Sequence, residues 1–491
     1  MDSGGKAPTA VPGSGPASPL GLRRGSLNLP RLAFIGLAYF SLAPAIYLNM
    51  GFMETDANGP VMPLLFILIT IAILPTAISF AVMNNRRPSA GSGSTWLWES
   101  VAPPVGLWLG WIMITAYLVV CSIYPPGFGL FFNSLLSIFG IGTNVWTGIA
   151  GGVASVLICG YIAHRNIRLG AAVIGVLMVF EAGFVLLLSL FIVIKGGTLG
   201  HFTLTPFDPT AAKAGITGLS LAAIFAFLSI AGVDSIAPVA EESDTPKRLI
   251  PLGTILITLI AGLYWTITSY GFAISIPVQQ VADYVNAGQL TPVLPIAHQY
   301  IGGLDILVPI TGFTATLASF GASVYAASRL MYAVSREGFL PSFFARLHPQ
   351  HHTPWNAEAT ALGVALVLFV LGTWWQGSVA GSFGYLAVIF VFFILVAYIS
   401  VNLANLIYHL RYKRNEFNWF LHGIMPVAGV LIDVYILYKA FFQAELGLPF
   451  QTGSSIVWFS LAWAAIGVVW VLWWRRRRDL SKASLTVYGE A

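Results

Sequence analysis

The chain has 491 residues, 57% of them hydrophobic and only 9% charged, with a net charge of +5 and a mean hydropathy of +0.80. Soluble domains carry about 25% charged residues, so this composition excludes a protein whose whole surface faces water. The basic residues sit between apolar runs in a pattern set by a bilayer, and no nucleic-acid partner is expected.

The first 25 residues are rich in Gly, Pro, Ser and Ala and lack the apolar core of a signal peptide. Residues 1–28 are therefore expected to be a disordered cytoplasmic tail. Apolar runs then recur at 31–52, 59–82, 104–135, 145–163, 168–195, 213–239, 249–275, 305–333, 357–373, 383–409, 424–444 and 455–474. Each can cross the roughly 30 Å hydrocarbon core, which needs about 20 helical residues. None alternates like the strands of an outer-membrane barrel, so helices are expected. The fold class is an all-α polytopic membrane protein with about twelve transmembrane helices. Cys121 and Cys159 both fall inside spans and offer neither a disulfide framework nor metal-ligand spacing.

With the N-terminus placed inside, only Lys195, Lys213 and Lys439 fall at outer ends, leaving 21 of the 24 Lys and Arg on the cytoplasmic face. This positive-inside pattern puts both termini in the cytoplasm, with residues 476–491 as a second tail, in a multi-pass protein of the cell membrane. The four arginines Arg475 to Arg478 after "WVLWW" read as a topological anchor. Trp96, Trp98, Trp108 and Trp111 fit an interfacial aromatic belt, and one of them lining a cavity is the other reading.

Two spans are interrupted alike. The first carries "YFSLAPAIYLNMGF", with Ser41 and Pro44 in mid-membrane, and the sixth carries "LSIAGVDSIAP", with Gly232, Asp234 and Pro238. Proline removes a backbone donor and clashes with the preceding turn, and glycine weakens a helix by about 1 kcal/mol. Interruptions five spans apart suggest two five-helix repeats of opposite orientation, each opening with a discontinuous helix. Broken backbone at that depth must be buried in protein or line a watery cavity.

Three stretches carry a resemblance. "DSIAPVAEESDTPKRLIP" (Asp234–Pro251), "SFGASVYAASRLMYAVSREGFLPSFFARLHPQHHTPWNAE" (Ser319–Glu358) and "RRPSAGSGSTWLWESVAPPVGLWLGW" (Arg86–Trp111) are similar to the amino acid–polyamine–organocation permeases. The resemblance spans roughly residues 30 to 475. It implies a ten-helix inverted-repeat core over 29–410, with broken helices one and six, and two peripheral transmembrane helices over 411–475. It further implies a secondary transporter of amino acids, polyamines or related amines that works by alternating access. Coupling would be to protons, to a counter-substrate or, less often, to sodium. No enzymatic activity, catalytic residue, metal or cofactor is implied.

Under this resemblance the substrate meets the two breaks: Ser41, Leu42, Ala43 and Ala45 in the first, and Ser229, Ile230, Gly232 and Asp234 in the sixth, with Phe225 and Ser319 nearby. Half-helix amides would meet a carboxylate and freed carbonyls an ammonium group. The chain departs from the family where a Gly-Ser-Gly-like run is common, since it reads "SLAPA" and Pro44 has no N–H to offer. That weakens the case for an ordinary α-amino acid and leaves room for an amine or a bulkier amino acid derivative. Asp234 stands where glutamate is common, and Val233 where an aromatic is.

A carboxylate at the bilayer centre costs roughly 2.5–3.5 kcal/mol on insertion scales. Glu181, in "GVLMVFEAGFVLLL", has no basic residue within two turns and reads either as a proton carrier or as a neutral, hydrogen-bonded structural acid. Asp234 reads either as a cap on the second half of helix six or as a group that attracts an ammonium and links gating to protonation. Glu241, Glu242 and Asp244 are expected to be solvated or paired with Arg329 or Arg336 across an inner gate. His348, His351 and His352 lack the partners that a metal site needs. A channel or a non-transporting membrane receptor is the rival class.

Overall fold

The computed structural model describes residues 25–163, 167–286, 292–441 and 451–477. The two tails up to residue 24 and from 478, along with Arg23, Arg24, Arg165 and Arg478 of the inside-positive set, lie outside the described residues. The described chain is helical. In order the helices are α1 (Leu29–Tyr39), α2 (Leu42–Tyr47), α3 (Met50–Ala57), α4 (Met62–Arg86), α5 (Ser92–Ser100), α6 (Pro103–Ile138), α7 (Val145–Ala163), α8 (Ile167–Lys195) and α9 (Gly215–Ile230). They continue with α10 (Pro246–Ala273), α11 (Val278–Asn286), α12 (Val293–Ile301), α13 (Leu307–Arg336), α14 (Trp355–Gln376), α15 (Val379–Tyr412), α16 (Met425–Phe441) and α17 (Gln451–Arg477).

Eleven helical stretches among the described residues are long and apolar enough to cross a membrane. The sixth expected span, 213–239, differs: α9 stops at Ile230 after 16 residues. From Ala231 the chain runs through turns and one short 3₁₀ segment, Ala240–Glu242, until α10 begins at Pro246. The sequence explains this, because Gly232, Asp234 and Pro238 fall within seven residues and helix cannot be regained cheaply across them. The short helices α5 and α11 lie outside the membrane-length stretches, while α12 leads into α13 within one of them, residues Val293–Arg336.

The first helix starts where Asn28 accepts a hydrogen bond from the Arg31 amide (3.3 Å), with a proline in its first turn. It is broken at Ser41, whose φ of +58° lies in the left-handed region that non-glycine residues rarely enter. Pro44 falls in the first turn of α2, where a missing N–H leaves no helical bond unmade. A second irregularity at Leu48–Asn49 separates α2 from α3.

These two broken elements face each other. Before α1, the backbone of Leu27 bridges Ser243 in parallel, with the Ser26 and Leu27 amides donating to the Glu242 carbonyl (3.0 and 3.1 Å) and the Asp244 amide donating to Leu27 (3.1 Å). α6, α8, α10, α13 and α15 surround the breaks, and α16 packs on α4 and α15 while α17 packs on α6 and α15. α6 and α7 cross so closely that a Cβ on Gly129 would lie 2.3 Å from the Gly148 carbonyl oxygen, the small-residue contact typical of membrane helix pairs.

Two of the four belt tryptophans are not at an interface. Trp96 is fully buried, donating its indole N–H to the Arg87 carbonyl (2.7 Å) and meeting Phe80 edge to face, and Trp98 is buried against Phe339. Both belong to α5, which folds into the protein. Trp108 and Trp111 instead donate to the carbonyls of Ala464 (3.1 Å) and Trp463 (3.2 Å) and hold α17 to α6. Beyond the spans, Glu416 hydrogen-bonds Lys413 and Arg86, and these bonds hold its carboxyl down to about 2.

Candidate functional site

Between the two breaks lies a small cavity of about 50 Å³, measured as the space open to the centre of a water molecule, which is room for a few waters. Ser41, Pro44, Ala45 and Asn49 wall it from the first helix, and Ser229 and Ala231 from the sixth. Tyr124 and Gly127 contribute from α6, Thr316 from α13, and Phe383 and Phe390 from α15. The Tyr39 and Phe40 rings complete it. Among the described residues, no Asp, Glu, Lys, Arg or His side chain lines this space.

The polar contacts across it are few. Ser41 Oγ is 3.1 Å from the Tyr124 hydroxyl, and each also sits 3.4 Å from the Tyr39 carbonyl that the break releases. Asn49 Nδ2 donates to Ser229 Oγ (2.9 Å) and to the Phe225 carbonyl (3.4 Å), tying the first helix to the sixth. Trp265 Nε1 donates to the Leu42 carbonyl at 3.0 Å. Phe52 stacks flat on Phe225, with ring centroids 4.4 Å apart, beyond the Asn49–Ser229 contact.

Of the residues expected at the substrate, Ser41, Ala45 and Ser229 line the cavity. Phe225 is instead the partner of Phe52, and Leu42 and Ala43 form the first turn of α2 behind the wall. Ile230 is buried beside the lining, and Gly232 backs onto the Tyr39 and Phe40 rings. Ser319 is buried with its hydroxyl unpartnered, one turn from the lining residue Thr316. Tyr39, Phe40 and Asn49 sat in the quoted first-helix stretch and could have been found there. Tyr124, Thr316, Phe383 and Phe390 come from uninterrupted apolar helices, where only the "YPP" of Tyr124–Pro126 hinted at an irregularity.

Asp234 does not cap a helix, because no regular helix follows it. Its carboxylate instead accepts hydrogen bonds from the hydroxyls of Tyr117 and of Tyr398 (2.8 Å to the latter), fully buried behind Tyr39. Glu181, on α8, is also fully buried. Its carboxyl approaches the Ala43 backbone amide at the start of α2 without closing a hydrogen bond, and both oxygens are unpartnered.

Below the cavity, at the end rich in Lys and Arg, an ion-pair network seals the protein. Arg329, fully buried on α13, donates to Glu242 (3.0 Å) and to Glu358 on α14 (2.8 Å). Arg336 meets Glu241 at 3.3 Å, and Glu241 also accepts from the Ala90 amide (3.2 Å). Glu241 and Glu242 thus pair as the sequence suggested, whereas Asp244 is engaged through its backbone. Glu358, the last residue of the "TPWNAE" motif, is the member that sequence reading did not assign. Among the described residues, no group of three His, Cys, Asp or Glu side chains is placed to hold a metal ion.

Helices interrupted at one buried cavity, inside a bundle of membrane-length helices, define a secondary-transporter architecture. A manganese transporter from Eremococcus coleocola has the same fold, with a TM-score of 0.50 at 11% identity, covering 90% of this chain and 94% of that one. The model of the family described as "Amino acid permease" matches residues 28–473, and the chain belongs to that family, a transporter family and not one of enzymes. Among its curated relatives are the low-affinity putrescine importer PlaP of Escherichia coli (26% identical, covering 91% of this chain and 93% of the relative) and the branched-chain amino acid permease BcaP of Bacillus subtilis (25%, 86% and 88%). A methylthioribose transporter of Bacillus subtilis is 24% identical over 90% of this chain and 92% of its own length.

Proposed function

We propose that this permease imports a small amino acid or organic amine across the cytoplasmic membrane by alternating access, that both termini are cytoplasmic, and that protons drive it through Glu181. The cavity between the breaks is the substrate site. Its walls are neutral and largely apolar, with hydroxyls at Ser41, Tyr124, Ser229 and Thr316 and an amide at Asn49. Such a lining favours a ligand with an apolar body and one small polar head, oriented by Ser41 and by the Tyr39 carbonyl. The conformation described is closed at both ends, by Phe52–Phe225 and Asn49–Ser229 on one side and by the Arg329 network on the other.

One observation carries the coupling: Glu181 holds an unpartnered carboxyl against the break in the first helix. A charge there would be stabilised when the break opens to water and opposed when it closes, so the two states differ in proton affinity. That difference is what coupling requires, since a proton moves an equilibrium only through differential affinity. Glu181→Gln imitates the protonated form at the same size. In proteoliposomes, with labelled putrescine and labelled branched-chain amino acids as trial substrates, the variant is expected to keep exchange and to lose accumulation driven by an imposed pH gradient. Accumulation at the wild-type level would make Glu181 structural.

A further inference from the structure

The last helix ends in a feature that transport does not use. Ile466, Val469, Trp470 and Trp473 of α17 form one wall of an open groove, and the Gly338–Pro341 loop after α13 forms the other. Residues 466, 469, 470, 473 and 477 recur at the three- and four-residue spacing of a single helix face, which puts Arg477 at the mouth of the groove and Arg475 on the opposite face. The Arg477 guanidinium lies over the Trp473 ring, 4.2 Å from its centroid. Trp474, at the groove's edge, has a buried indole N–H with no acceptor. Arg475, Arg476 and Arg477 are exposed, and among the described residues no carboxylate pairs with them.

An apolar groove whose mouth carries an exposed guanidinium, with no carboxylate partner among the described residues, matches an acyl chain joined to an anionic oxygen. We propose that it binds one anionic phospholipid, with the phosphate on the Arg477 guanidinium and an acyl chain along Ile466, Val469 and Trp470. The positions suit a bilayer, where tryptophan and arginine gather at headgroup depth and basic side chains reach for anionic lipid. A free phosphate would leave the apolar walls bare, and a second copy of the chain would bring the same arginines against these.

Native mass spectrometry of the delipidated full-length protein tests this, with phosphatidylglycerol and phosphatidylcholine of matched chains added in turn. One phosphatidylglycerol is expected to be retained, several-fold more tightly than phosphatidylcholine. Arg477→Gln should erase most of that preference, while Arg475→Gln, which removes the same charge from the opposite face, should keep it. Equal binding of the two lipids overturns the proposal. So does an equal loss in Arg475→Gln and Arg477→Gln, which would reduce the effect to bare positive charge. Displacement of the lipid by millimolar inorganic phosphate alone would also overturn it, by assigning the site to the free anion.

Discussion

A single hydrogen atom on Gly232 separates the two broken helices. A Cβ there would lie 2.7 Å from Tyr39 Cδ1 and 2.8 Å from Phe40 Cδ1, and both rings wall the cavity. Gly232→Ala must push those rings into a space that holds only a few waters. Overpacking of this kind costs on the order of 1–3 kcal/mol, and here it falls on the cavity, with the rest of the bundle intact. Substrate affinity is expected to drop by about tenfold or more, while the size-exclusion profile stays near wild type and the unliganded melting temperature falls only modestly. A thermal-shift titration reads both, and unchanged affinity would move the substrate site away from the breaks. The sequence made this glycine conspicuous because it interrupts an apolar run. It could not show that Asp234 meets Tyr117 and Tyr398, because those partners lie more than a hundred positions away in apolar runs that do not mark which residue faces it.

At the scale of elements, the Arg329 network holds α13, α14 and the segment after the sixth-helix break as one closed face. Breaking a buried ion pair from one side is expensive because the remaining charges stay buried without a partner, typically 3–5 kcal/mol. Arg329→Met leaves Glu242 and Glu358 in that position. It is expected to lower the unfolding free energy by about that range, and Glu242→Gln in the same chain should recover part of the loss. A double-mutant cycle by denaturant or thermal unfolding measures the recovery. If the two substitutions add without interaction, the pair does not close this face. The elements themselves were legible where they break a rule, as with proline in mid-span or glycine beside aspartate. The walls contributed by α6, α13 and α15 were not, because a helix apolar on every side gives no sign of which face it turns inward.

For the whole molecule, the proposed orientation rests on charge. Arg86, Arg336, Arg411, Lys413 and Arg475 to Arg477 belong to the set that the positive-inside rule assigns to the cytoplasm, and the Arg329 network lies at that same end. Cys121 and Cys159 are both buried, so a new cysteine would report alone. Ala10→Cys is expected to resist an impermeant thiol reagent in intact cells and to label once the membrane is permeabilised. Labelling of intact cells would invert the orientation.

The backbone bridge between Leu27 and Ser243 has a consequence for how the protein is made. Its two sides are more than two hundred positions apart, yet it seats the start of α1. During synthesis the first helix enters the membrane long before the segment that anchors it has left the ribosome. Until then the left-handed kink at Ser41 and the released Tyr39 carbonyl have Tyr124 of α6 beside them, but nothing from the sixth element. The amino-terminal half therefore waits, inserted but unfinished, and the breaks close on each other only after the sixth helix has been translated.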